Sequence, residues 1–127
     1  MRLCSILALL MLVPSAMLAD EPQPNPITPA QAAMKLKEKV TVQMLVKSTG
    51  GRENCYLNSE DDFTLATNFT VFLSKNAKEK FKKAGIDNPA EHFKQKTIQV
   101  TGTVILYEKK PRIEVTEVSQ LKVVDTK

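Results

Sequence analysis

Lys96–Val115 reads KTIQVTGTVILYEKKPRIEV. Its alternation predicts a long strand from Lys96 to Tyr107, with Ile98, Val100, Val104 and Leu106 on the inner face. Gly102 falls in phase with that inner set, where the closing strand of a small barrel must bend sharply. Glu108-Lys109-Lys110-Pro111 is the turn, and Arg112 to Thr116 the next strand, with Ile113 and Val115 inward. Three more alternating runs lie upstream. Lys39–Ser48 turns Val40, Val42, Met44 and Val46 to one side, and Gly50-Gly51 ends it. Asn54–Ser59 puts Cys55 and Leu57 inward and Asn54, Tyr56 and Asn58 outward. Phe69–Ser74 puts Phe69, Val71 and Leu73 on one face and Thr70, Phe72 and Ser74 on the other. A lysine-rich helical segment follows. The expected fold is therefore all-β with short helices: a five-stranded Greek-key barrel with a helical connection between strands 3 and 4.

The helices are marked by their caps. Thr28, Pro29 and Gln31 form a capping-box start for a helix from Pro29 to about Lys37, with Ala33, Met34 and Leu36 as its apolar face. Asn76 with Glu79 offers a second box, Ala77, Phe81 and Ala84 share a face, and Gly85 suits the position past the end. Asn88-Pro89 starts a third helix whose Phe93 anchors into the core and plugs one end of the barrel. Leu121, Val123 and Val124 make a terminal strand or packed tail.

Residues 1–19 read as a secretory signal peptide: Arg2, an apolar run from Leu3 to Val13, a Pro14-Ser15 break, then Ala19 before the cut. Residues 20–28 are a proline-rich tether with no core contribution. Residues 29–127 are one domain that includes the short N-terminal helix. The expected location is the periplasm or the extracellular space. Cleavage removes Cys4, so Cys55 is left alone and no internal disulfide forms; it is expected to be a buried, inert thiol. The formal charge of +4 falls by one when Arg2 leaves, a mild excess that permits anionic partners without requiring them.

Gln99-Val100-Thr101-Gly102-Thr103-Val104, followed by Tyr107, Pro111 and Ile113-Glu114-Val115, resembles the fourth and fifth strands of OB-fold nucleic-acid-binding domains of the tRNA-anticodon-binding type. Those strands read as apolar-x-Gly-x-apolar, a turn, then apolar-x-apolar. As strand order the resemblance runs from Lys39 to Val124. Over its whole length the chain is also similar to small exported bacterial OB-fold proteins of unassigned function, a likeness that carries no activity. The resemblance implies a ligand face on the outside of strands two and three, between the loop joining strands one and two and the loop joining four and five. Alternation places Tyr56 and Phe72 on that face. Lys47 and Arg52 flank the first loop, and Lys109, Lys110 and Arg112 lie in or beside the second.

Aromatic platforms between basic loops suit single-stranded nucleic acid or another extended polyanion, with bases on rings and cations on phosphates. The alternative is a protein or glycan interaction module on the same face. Lys75, Lys78, Lys80, Lys82 and Lys83 read as a solvated helix face, and Glu60, Asp61 and Asp62 as a plain acidic loop without calcium-ligand spacing. His92 is the one histidine of the chain, and no nucleophile–base set, phosphate-cradling glycine loop or metal spacing accompanies it. The sequence thus implies no catalysis, no cofactor and no metal.

Overall fold

The computed structural model describes residues 25–124; the signal-peptide reading and all but the last four tether residues lie outside them. The strands are β1 (Pro26–Ile27), β2 (Lys39–Leu45), β3 (Ser48–Gly50), β4 (Cys55–Asn58), β5 (Thr70–Leu73), β6 (Thr97–Tyr107), β7 (Lys110–Val115) and β8 (Leu121–Val123). The helices are α1 (Pro29–Ala32), α2 (Lys75–Lys83) and α3 (Pro89–Phe93), with a 3-10 turn at Val118–Gln120. The protein is mostly β with short helices, in the expected order.

β6 organises the sheet by changing partner along its length. Its first half pairs antiparallel with β2, from Thr97↔Leu45 to Thr103↔Lys39. From Val104 it pairs with β7 instead, ending at Tyr107↔Lys110. β7 runs parallel to β5, β5 antiparallel to β4, and β4 antiparallel to β3. The path is β1-β2-β6-β7-β5-β4-β3, with β8 on β6, and it does not close as a ladder among the described residues. Nevertheless β3, at one end, and β2, next to the other end, belong to one stretch of chain. The predicted first strand arrives as β2 and β3, parted by Val46 and Lys47. Val46 N–H donates to the Lys96 carbonyl at 3.0 Å, while Lys47 N–H donates to the Asn58 carbonyl at 2.9 Å. The chain is handed from the β6 side to the β4 side between two adjacent residues.

Gly102 stands where β6 begins that change of partner. A Cβ on it would lie 2.7 Å from Ile113 Cγ2 and 3.3 Å from Gln120 Nε2. The glycine is thus required by the close approach of β7. The inward set Val40, Val42, Met44, Val46, Cys55, Leu57, Val71, Leu73, Ile98, Val100, Val104, Ile113 and Val115 is buried as the alternation predicts. α2 and α3 cover this core with Phe81 and Phe93, whose rings meet edge-to-face at 6.0 Å and 89°.

Five local readings are corrected. α1 stops at Ala32, which is its buried residue, and Met34 is 84% exposed. The chain turns there because Lys37, at φ 71°, swings its N–H onto the Val104 carbonyl. Leu106 is exposed, since β6 has left β2 by that point and faces Pro111 of the hairpin. Ser74 caps α2 through a bond from Ala77 N–H, so the helix starts earlier than an Asn76 cap would place it. Asn58 is buried despite its outward phase. Pro26–Ile27 leaves the tether to pair with Thr41 and Val42, and Ile27 packs on the core.

Candidate nucleic-acid interface

Register aligns two outward rows, one across four strands and the next across five. One row is Gly50, Tyr56, Phe72 and Glu114; the next is Ser48, Asn58, Thr70, Arg112 and Ile105. Their sequence neighbours Leu57, Val71, Leu73, Ile113 and Val115 point into the core, so both rows face outside.

The second row is tied down by the loop after β4. Asn58 Nδ2 donates to Ser48 Oγ at 3.3 Å, and Thr70 Oγ1 donates to Asn58 Oδ1 at 3.0 Å. Asn68 donates to Thr70 Oγ1 at 3.1 Å and accepts from Glu60 N–H at 3.1 Å. Ser48 Oγ donates to the Glu60 carbonyl at 2.7 Å. Asn58 and Asn68 are buried because these bonds replace the water they give up. In the same loop Asp62 accepts from the Thr64 hydroxyl at 2.6 Å and the Thr64 N–H at 2.9 Å. Those bonds hold its carboxyl below the usual carboxylate range and shape the loop tip.

The first row leads into a stack. The rings of Tyr56 and Phe72 sit 5.4 Å apart at 46°. The Arg112 guanidinium lies 4.3 Å over Phe72 and 3.9 Å from the centroid of Tyr107. Tyr56, Phe72, Arg112 and Tyr107 therefore form one continuous column of planar groups. Tyr107 is carried there by the two-residue turn Glu108–Lys109, whose backbones take φ 51° and 70°. Beside the column runs a groove of about 540 Å³, lined among others by Ser48, Tyr56, Phe63, Tyr107, Lys110 and Arg112. Phe63 reaches it from the loop after β4 and Tyr107 from the end of β6, and they are 64% and 49% exposed.

The seven expected contact residues divide. Tyr56, Lys110 and Arg112 line the groove, and Phe72 packs against Tyr56 and Arg112 without lining it. Lys47, Arg52 and Lys109 do not line it. Lys47 Nζ is 3.7 Å from Glu60, and Lys110 Nζ donates to the Phe63 carbonyl at 3.1 Å. Arg112 departs furthest from the picture of a loop cation. It is a buried strand residue whose Nη2 donates to Glu114. Its Nε is buried without an acceptor. Asp61 and Glu108 also line the groove, so its cations and anions balance. Reading the sequence missed Phe63, Tyr107, Asp61 and Glu108. The available signal for Phe63 was an aromatic residue in an otherwise polar loop.

Elsewhere, Cys55 is buried in β4, and burial pushes its thiol up to about 11 against an opposing pull from the Lys78 charge. That holds it as the unreactive thiol, in keeping with an inert core residue. Of the α2 lysines, Lys80 pairs with Glu117 at 2.8 Å and Lys78 donates to the Arg52 carbonyl at 2.8 Å.

No family model and no curated protein sequence matches this chain. Solved structures do match. The aspartyl-tRNA synthetase of Entamoeba histolytica aligns at TM-score 0.55 and 12% identity, over 93% of this chain and 24% of the synthetase. OBody AM3L09, solved bound to hen egg-white lysozyme, aligns at TM-score 0.56 and 14% identity, over 84% of this chain and 100% of the OBody. The chain has an OB fold. The asparaginyl-tRNA synthetase of Entamoeba histolytica is similar at TM-score 0.53 and 15% identity, over 81% of this chain and 24% of its own. This OB chain thus spans about a quarter of the length of the synthetases it matches and the whole of the OBody. At these identities the likeness speaks to the fold.

Proposed function

We propose that this chain is an exported OB-fold binding module that holds single-stranded nucleic acid on the outer face of β3, β4 and β5. Residues 1–19 act as the signal and 20–25 as a spacer. Lys39–Gly50 acts as a single bent stave, so that five staves close into a barrel through the handover at Val46 and Lys47. The observation that carries the binding reading is the column of Tyr56, Phe72, Arg112 and Tyr107 beside an open groove with Phe63 across it. A stacked column of planar groups that ends in a half-exposed ring is what nucleobases stack on. The OB fold shared with two tRNA synthetases agrees with this reading.

The electrostatics define how such binding would behave. Charges inside the groove balance, so phosphates follow the rim, where Arg52 and Lys109 stand without an ion pair among the described residues. Two phosphate contacts give a slope of log affinity against log salt of about −1.4. Binding of a fluorescent oligothymidine of about 12 nucleotides, within the span of one OB fold, is expected to show this shallow slope. Tyr107→Ala should weaken it about tenfold, the loss of one stacked base, with the melting temperature nearly unchanged because the ring is half exposed. An oligonucleotide affinity that is undetectable, or equal in the parent and Tyr107→Ala, overturns the reading.

The balanced charge of the groove also favours a second reading, a protein or glycan ligand at the same rings. The OBody bound to lysozyme is one OB-fold structure with a protein ligand. Salt-insensitive binding of such a ligand, lost in Tyr107→Ala, would select it.

A further inference from the structure

Arg112 is placed oddly for a residue that merely attracts phosphate. Its side chain is 9% exposed, it sits between two rings, and its charge is already met by Glu114. Its Nε–H has no acceptor among the described residues and no contact with water. A buried donor left unpaired costs free energy that a fold normally avoids, so such a group calls for a partner. No group lining the groove bonds it: Lys110 is a donor, Asn58 and Thr70 are already committed to each other and to Asn68, and neither groove carboxylate, Asp61 or Glu108, accepts from it. Of the two rings that sandwich the guanidinium, Tyr107 is half exposed and stands at the end of β6, next to a two-residue turn.

We propose that Arg112 determines which base the groove accepts, by donating from its guanidinium edge to two adjacent acceptors of that base. This inference rests on the nucleic-acid reading above and adds the ligand's identity to it. With Glu114 neutralising the cation, a neutral acceptor pair is a better partner than a phosphate or carboxylate, which would bring an excess negative charge beside Glu114, Asp61 and Glu108. Among the bases, guanine offers O6 beside N7, the commonest fork partner of arginine. Cytosine in a single strand offers O2 beside N3. Adenine and thymine alternate donors with acceptors on every edge and cannot satisfy a fork of donors. Tyr107 turns aside to uncover Nε and then stacks on the base that enters. Asp61 and Glu108 accept from the amino group that guanine and cytosine both carry.

The test uses the unaltered chain and oligothymidines of about 12 nucleotides in which the central base is thymine, guanine, cytosine, adenine or 7-deazaguanine. Guanine and cytosine should bind about tenfold more tightly than thymine, within the range of one bidentate contact. 7-Deazaguanine, which lacks N7 but stacks as well as guanine, should fall back toward the thymine value. Arg112→Lys keeps the charge and loses the planar fork, so all five oligomers should bind it alike. The deazaguanine comparison needs no variant and stands whatever the lysine does to folding. Equal binding of all five by the unaltered chain overturns the role of Arg112 while leaving the function standing. Failure of every oligomer to bind overturns both.

Discussion

Gly102→Val should leave the chain largely unfolded at room temperature. The first carbon of any side chain at this position would lie 2.7 Å from Ile113 Cγ2, well inside van der Waals contact. Ile113 cannot yield. It is fully buried, it is β-branched and so stiff at its first side-chain torsion, and its strand is paired on both sides by β5 and β6. Gly102→Ala is expected to cost about 1–3 kcal/mol, the usual range for overpacking. Valine adds two further carbons to the same collision, against a total stability of about 5–15 kcal/mol for a domain of this kind. Urea unfolding followed by far-ultraviolet circular dichroism reads both. Ile113→Ala removes the colliding methyl, so Gly102→Ala combined with it should cost less than the two changes added together. A Gly102→Val chain as stable as the parent would mean that β6 and β7 do not approach each other as described.

Phe81→Ala and Phe93→Ala should each cost about 3–5 kcal/mol. Both rings are buried, and each is the main anchor of a helix too short to persist alone, nine residues for α2 and five for α3. Their edge-to-face contact makes the losses interdependent, with a coupling of about 0.5–1.5 kcal/mol. Hydrogen exchange supplies a second signature. Removing Phe81 should strip protection from the α2 amides before those of β6, because Phe81 and Ala77 are the buried residues of the helix and its other ties, from Lys78 and Lys80, are exposed. Equal loss of protection throughout the sheet would show that the two helices are integral to the barrel and not a cover over it.

The sheet was legible in the sequence because its signal is local. Alternation identifies the inward faces of β2, β4, β5, β6 and β7, and with them the outward phase of Tyr56 and Phe72. Cap chemistry located α1 and α3 for the same reason, since Thr28 and Asn88 act within one turn of themselves. What escaped depends on contacts between distant segments. Both Ser74 and Asn76 are good caps, and the choice falls to Ser74 because β5 ends at Leu73, the last residue to pair with β7. Val46 and Lys47 look like any other pair in an alternating run, and only the competing claims of β6 and β4 part the strand there. Arg112 has the outward phase at the start of the fifth strand, which predicts a solvated cation beside the loop and not a buried one. Its burial is made by Phe72, Tyr107 and Glu114, of which Phe72 is 40 positions away. Asn58 is buried by Asn68 and Ser48 through a loop whose composition suggests nothing but solvent. The candidate site was therefore half visible: its rings follow from periodicity, whereas its charge balance and its unpaired donor follow from tertiary packing.

Amide and side-chain chemical shifts recorded by NMR during titration with a cytosine-containing oligonucleotide locate the ligand directly. The account predicts that perturbed signals cluster at Ser48–Gly51, Tyr56, Phe63, Thr70 and Tyr107–Arg112, with the Arg112 Nε–H moving as it gains an acceptor. Perturbations centred on the α2 lysines instead, with the groove signals unmoved, would contradict it.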